Sequence, residues 1–434
     1  MMWIESWYVS YALLGVAAAG ILPILIPVTV AGASGASLAG LVMAAFSLGG
    51  LTAPFWGRLA DELRLHKVLL AGGLACAALA SFAFPFVHSP AAYAALALLQ
   101  GIGIAATATT ANLFVVEAHP RPQWDARIGW LQTFYGGGQV AGLLLAGLVA
   151  QADAAAGLML AGALLAVAIL LGLLTAPRLP PGAGGPASRA AGPRTRGSRA
   201  AIPLAARRRP ALTHAVRHAE WPTGSPQRLY HHAGPGSFRL LGSPGGATFG
   251  LFLLGWFLSF GGSAAFFSLY PILMKQSYGV GPALSSAGFA VAAGLGLLLY
   301  APAGQWSTRW KPLWVLRVGL VVRAAAYGAL SLLLILPGPS RGWLALGMFL
   351  IVVLAWSGLS VASTALVAEM FSGRNAEGEG LGLFNAVTAL AGVAGSAGGG
   401  WAAVAGGYGA IPLVTLGGTL AGLGVLAAGR FTID

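Results

Sequence analysis

Apolar runs of about 20 residues, the length that carries a helix across the hydrocarbon of a bilayer, recur along most of this chain with short polar breaks between them. They span approximately 7–31, 38–57, 68–87, 91–116, 128–150, 155–177, 248–273, 283–303, 312–336, 342–368, 379–402 and 408–430. The runs do not alternate apolar and polar residues as the strands of a membrane barrel would, so helices are the economical reading. The pattern predicts an all-α membrane protein of twelve transmembrane helices, six on each side of one long hydrophilic segment. Run 1 is too long for a secretory signal, has no basic residue before it and lacks a convincing cleavage site, so it reads as retained helix 1.

Composition agrees with the pattern. With 434 residues, 57% of them hydrophobic, and a mean hydropathy of +0.79, the chain could not keep its apolar surface from water in a soluble fold. Three units follow: an N-terminal six-helix bundle at 1–177, a basic cytoplasmic linker at 178–247 and a C-terminal six-helix bundle at 248–434. The linker is rich in Pro, Gly, Ala and Arg, and Glu220 is its sole acid, a composition that builds no core and predicts disorder. It reads as a solvated connector, with contact to anionic membrane lipid as the alternative.

The net charge of +13 invites a nucleic-acid reading until its placement is examined. Twenty of the 24 Lys and Arg lie in even-numbered connections or the C-terminus; the odd-numbered connections hold only Lys275 and Arg341, and helix 9 holds Arg317 and Arg323. That asymmetry puts both termini in the cytoplasm and the positive charge on the inner membrane surface, with no nucleic-acid partner. The expected location is the cell membrane, multi-pass, as in a bacterial inner membrane. Cys76, the single cysteine, sits inside the third run, so no intrachain disulfide and no cysteine metal site is available. No phosphate loop or metal-ligand cluster is present, and His231-His232 falls in the linker. An enzyme, a resident cofactor or metal and an ATP-driven pump are therefore not expected.

The two halves repeat each other. Gly40 to Pro54 aligns with Gly288 to Pro302 at an offset of 248; Gly57 and Gly304 follow the prolines, and Lys67 and Lys311 end the turns. Glu117 and Glu369 close runs 4 and 10, Gly129-Trp-Leu-Gln132 matches Gly382-Leu-Phe-Asn385 at an offset of 253, and Gly142 matches Gly395 in that register. A duplicated six-helix unit explains these pairs.

Two such repeats with a charged turn between helices 2 and 3 resemble the major facilitator superfamily of secondary transporters. The turn PFWGRLADELRLHK, residues 54–67, carries the resemblance: Gly57 and Asp61 match the superfamily signature, and His66 and Lys67 occupy its final basic pair. Glu62 stands where a basic residue is usual and Arg64 where Gly is usual. Glu117-Ala-His-Pro120 followed by Arg127, echoed by Glu369 and Arg374, is a second similar feature. The resemblance covers the whole chain except the linker and implies a cytoplasmic gate in which Asp61 meets the positive N-terminus of helix 11 near Gly380. Around it Arg58, Arg64, Lys67, Glu117, Arg127, Glu369 and Arg374 would form charge contacts made in one state and broken in the other. Orientation alone, with these charges holding the turns inside, is the plainer account of them.

The resemblance further implies that helices 1, 2, 4, 5, 7, 8, 10 and 11 line a central cavity. Helix 5 places Gln132, Tyr135 and Gln139 on one face, and helix 11 places Asn385 and Thr388 at equivalent positions. Asn112 of helix 4 and Trp356 of helix 10 join them as candidates for the substrate cavity. Buried Ser and Thr read instead as bonds to their own helix backbone, and the stripe Trp256, Phe260, Ser263, Phe267, Tyr270 of helix 7 reads as packing. Arg323, in an outer helix, is expected to snorkel or to pair with a carboxylate or carbonyl.

No acid lies near the midplane, where a proton relay would place one. The helix 4 Arg of proton antiporters is replaced by Ala97 ahead of Gln100-Gly101, and the Gly-Pro element of drug antiporters by Gly138-Gln-Val-Ala-Gly142. Transport is then uncoupled, or the proton rides on Glu117 or Glu369 at the membrane edge. The expected function is alternating-access transport of a small, uncharged or amphipathic solute by a monomer, with efflux as one possible direction. A receptor or assembly protein on the same scaffold is the rival.

Overall fold

The computed structural model describes residues 4–63, 65–119, 123–177, 246–336, 338, 340–371 and 377–429. Among these, the chain is helical with no strand, and twelve helices are long and apolar enough to cross a membrane. They are α1 (Tyr8–Ser34), α2 (Ala36–Ala60), α3 (His66–Phe86), α4 (Pro90–Val115), α5 (Arg127–Ala150), α6 (Ala154–Thr175), α7 (Gly246–Ser268), α8 (Pro282–Trp310), α9 (Pro312–Leu333), α10 (Arg341–Phe371), α11 (Gly380–Gly406) and α12 (Ala410–Ala428). Leu148, Leu174, Leu298, Ile335 and Trp401 are highly exposed, which a bilayer accommodates and water would not. The linker expected at 178–247 falls almost wholly outside the described residues.

Helix ends follow local chemistry. Gly35, at φ 86°, turns α1 into α2 in one residue, a backbone conformation closed to residues with a Cβ. Ser89 caps α4 by accepting from Ala92 N at 3.2 Å, and Asp153 caps α6 by accepting from Ala155 N at 2.8 Å.

Irregular turns fall beside prolines, each of which lacks a backbone donor. In α1 a π-helical segment, Gly15–Ile21, precedes Pro23 and Pro27. In α2 a 3₁₀ turn, Gly50–Thr52, precedes Pro54. The seventh run, expected to be continuous over 248–273, breaks at Leu269 ahead of Pro271 and resumes as Tyr270–Tyr278.

Packing repeats between the halves. α1 lies on α5 as α7 lies on α11, and α3 lies on α4 as α9 lies on α10. The α1 and α5 backbones nearly touch: a Cβ on Gly142 would sit 2.1 Å from Val16 O, and at the repeat partner Gly395 it would sit 2.0 Å from Gly261 O. Small residues permit this approach, which lipid-embedded helices depend on in place of a hydrophobic driving force.

The halves meet through α2 with α11 and α5 with α8. At the end remote from the termini, a Cβ on Gly40 would lie 2.7 Å from Gly400 Cα, and one on Gly147 would lie 3.1 Å from Ala283 O. The α2 and α11 contact runs inward past Ser47 and Gly392 to the Gly50–Thr52 turn. Beyond that turn the segment Ala53–Leu63 packs on α4 and α3 of its own half, while Gly380 at the start of α11 lies against Phe371 of α10.

Candidate functional site: a polar and aromatic centre

On α5 the exposed residues Trp130, Thr133, Leu144 and Leu148 share one face, and Gln132, Tyr135 and Gln139 lie on the opposite one. Gln139 is completely buried, and neither its amide nitrogen nor its amide oxygen has a hydrogen-bond partner. Gln132 Oε1 and, on α11, Asn385 Nδ2 are likewise buried without a partner. Unmet amide groups inside a bilayer are costly, because neither lipid nor packed side chains replace the lost water. Tyr135 packs its ring on Tyr11 of α1 with 5.2 Å between centroids. Asn112 is buried and donates from Nδ2 to its own helix at Ala108 O, 2.9 Å away.

The C-terminal half contributes an aromatic wall. Trp356 of α10 meets Trp256 and Phe260 of α7 at centroid distances of 6.1 and 5.7 Å. Trp256 Nε1 donates to Thr388 Oγ1 of α11 at 2.8 Å, and Thr388 in turn donates to Phe384 O at 2.8 Å. Other hydroxyls bond along their own helices, Thr107 to Gly103 O and Ser259 to Gly255 O, or join neighbours, Ser10 to Ala168 O and Thr415 to Gly262 O.

The charged residues at the terminal end are placed more sparsely. Gly57 and Arg58 lie on the last turns of α2, Arg58 facing outward; Asp61 and Glu117 are in helical backbone, with side chains outside the described set. Arg64 and Arg374 lie outside the described residues. Lys67 is half-buried in the first turn of α3, and Glu369 is exposed near the end of α10 with Lys311 as its electrostatic neighbour. Arg127 joins a partner from its own half: Nη1 donates to Glu5 Oε1, which also lies 2.7 Å from His119 Nε2, while Trp7 Nε1 donates to Glu5 Oε2 at 2.6 Å. Glu5 thus ties the start of α1 to the α4–α5 connection. Sequence reading passed over it, although an acid just before helix 1 must emerge on the same face as that connection.

Arg323 corrects an expectation. It is 2% exposed and, among the described residues, meets no carboxylate or carbonyl: it donates from Nη2 to Tyr327 Oη at 2.8 Å and lies among aromatic rings. At the opposite end from the termini, Lys275 and Arg341 share a polar cavity of about 520 Å³ with Tyr278 and Trp343.

A family model described as Major Facilitator Superfamily matches residues 7–396. No curated protein gives a significant sequence match. Solved structures do resemble the fold: the nucleoside transporter NupG at TM-score 0.70 and 13% identity, covering 97% of this chain and 96% of that one. A bacterial homologue of the human lysosomal transporter Spinster gives 0.66 at 14% identity over 97% and 93%, and the human organic anion transporter MFSD10 gives 0.58 at 17% over 97% and 98%.

Proposed function

The chain belongs to the Major Facilitator Superfamily, and from that membership we propose that it carries a small amphipathic or uncharged solute across the membrane by alternating access. The observation that carries the reading is Gln139, wholly buried on the inward face of α5 with both amide atoms unmet. A residue that costs stability in the free protein gains its partners when a solute with a donor and an acceptor arrives. Gln132 and Asn385 offer one unmet group each, and Trp256, Phe260 and Trp356 offer apolar surface for the rest of the solute.

With both termini in the cytoplasm, as the distribution of Lys and Arg supports, the contact of Gly40 with Gly400 closes the outer side. The arrangement is then open to the cytoplasm, with the gate around Asp61 apart, and the opposite state brings Asp61 to the start of α11. The cell membrane, in a bacterium the inner one, is the proposed location.

With no acid near the midplane, transport runs without proton coupling. The test is flux in reconstituted vesicles with an imposed pH gradient and no solute gradient. Saturable flux without accumulation is expected. Accumulation driven by the pH gradient would overturn the uncoupled reading, and absence of saturable flux across a broad solute panel would favour a receptor or assembly protein.

A further inference from the structure

Arg323 poses a charge-balance problem that the transport reading leaves open. It is the twelfth residue of α9, roughly 16 Å along the helix axis and so near the middle of a hydrocarbon layer about 30 Å thick. The side chain is buried, Nε has no partner, and the one hydrogen bond among described residues goes to the neutral phenol of Tyr327. No Asp or Glu occurs anywhere from residue 221 to 368. Rings do what they can: the guanidinium carbon lies 5.5 Å from the centroid of Tyr327, 5.7 Å from Trp356 and 5.9 Å from Phe267. Aromatic faces attract a cation but carry no net charge, so among the described residues the cation has no counter-ion at a depth where isolated charge is expensive.

The position of this charge is informative. Trp356, one of the three rings, also packs on Trp256 and Phe260, and Trp256 is hydrogen-bonded to Thr388 of α11, the helix that meets the other half through α2. Trp356 thus contacts both the guanidinium and the rings of Trp256 and Phe260, the surface proposed for the solute. We propose that Arg323 is a specificity-determining residue that selects anionic amphipathic solutes of the organic carboxylate type. The apolar body of the solute packs on Trp256, Phe260 and Trp356, and its carboxylate supplies the counter-charge that no residue between 221 and 368 provides. This rests on the transporter reading and narrows its solute class.

The experiment compares 1-naphthoate and decanoate with their neutral primary amides, using equilibrium binding to the purified full-length protein and saturable flux in vesicles. The native protein should bind each carboxylate about tenfold or more tighter than its amide. Arg323→Gln should abolish that preference, whereas Arg323→Lys should retain it at lower affinity. Trp356→Leu should weaken both members of each pair alike, reporting the apolar contact apart from the charge. Equal binding of carboxylate and amide by the native protein, binding of neither, or an undiminished preference in a folded Arg323→Gln protein overturns the proposal. If Arg323→Gln does not fold, the preference of the native protein and its survival in Arg323→Lys decide. Saturable flux without carboxylate preference leaves the transporter reading standing and sinks this one; preference in binding without any flux does the reverse.

Discussion

At the scale of single residues, stability and function pull apart at Gln139. Both ends of its buried amide lack partners, a penalty on the order of 1–3 kcal/mol for a group removed from water. Gln139→Leu, similar in volume and without polar atoms, should therefore raise the thermal midpoint of the purified protein. The same change should reduce saturable transport by about tenfold or more, since it deletes a hydrogen-bonding pair offered to the solute. A fall in midpoint with transport intact would mean that Gln139 is held by the fold rather than kept for a ligand. Helical spacing alone made this face legible, because Gln132, Tyr135 and Gln139 recur at one angle. Arg127 was less legible: its partner Glu5 lies 122 positions away in the chain, and no local pattern joins them.

Among the helices, α2 is the element whose contact with α11 joins the halves at the end remote from the termini. Its part remote from the termini packs on α11 through Gly40 and Gly400, and past Gly50–Thr52 it turns to its own half. A side chain at residue 40 would strike Ser396 O and Gly400 backbone atoms at 2.6–2.8 Å, with no flexible tip to yield. Gly40→Leu should force the outer ends of α2 and α11 apart and shift the population toward the outward-open state. In a background with Cys76 replaced, a cysteine at residue 47 should then react faster with a membrane-impermeant maleimide added outside than it does with Gly40 present. Unchanged reactivity would show that the contact is not the outer gate. The bends themselves could be anticipated from prolines at 23, 27, 54 and 271, since each removes a donor from the helix ladder. Whether such a proline produces a π segment, a 3₁₀ turn or a break depends on the neighbouring helix, which sequence spacing does not contain.

For the molecule as a whole, topology and gating give two further expectations. Cysteines placed at residues 36 and 153 should be labelled from outside intact cells, and one at residue 220 only after the membrane is opened. Labelling of residue 220 from outside would invert the proposed orientation and with it the meaning of the closed outer end. Asp61→Asn should preserve insertion and fold yet lower transport, because it removes a charge meant for the N-terminus of α11 while conserving shape. Transport at the parental level would remove Asp61 from the gate.

Twelve helices, their order and their twofold repeat were determined by sequence, because the bilayer leaves the backbone no alternative to helices and because duplication repeats the spacing of Gly, Pro and charge. Orientation, too, is argued from sequence through the placement of Lys and Arg. Tertiary structure alone decided which end of the bundle is shut, because the contact of Gly40 with Gly400 joins residues 360 positions apart. It also decided the surroundings of Arg323. From sequence that residue is a cation in an outer helix, free to reach either water or a carbonyl; packing turned it inward between α7 and α10, where the rings of Phe267, Tyr327 and Trp356 surround a charge with no carboxylate partner among the described residues. Side-chain direction across a helix interface depends on the crossing of neighbours, a property of the assembled bundle and not of any run of residues within it.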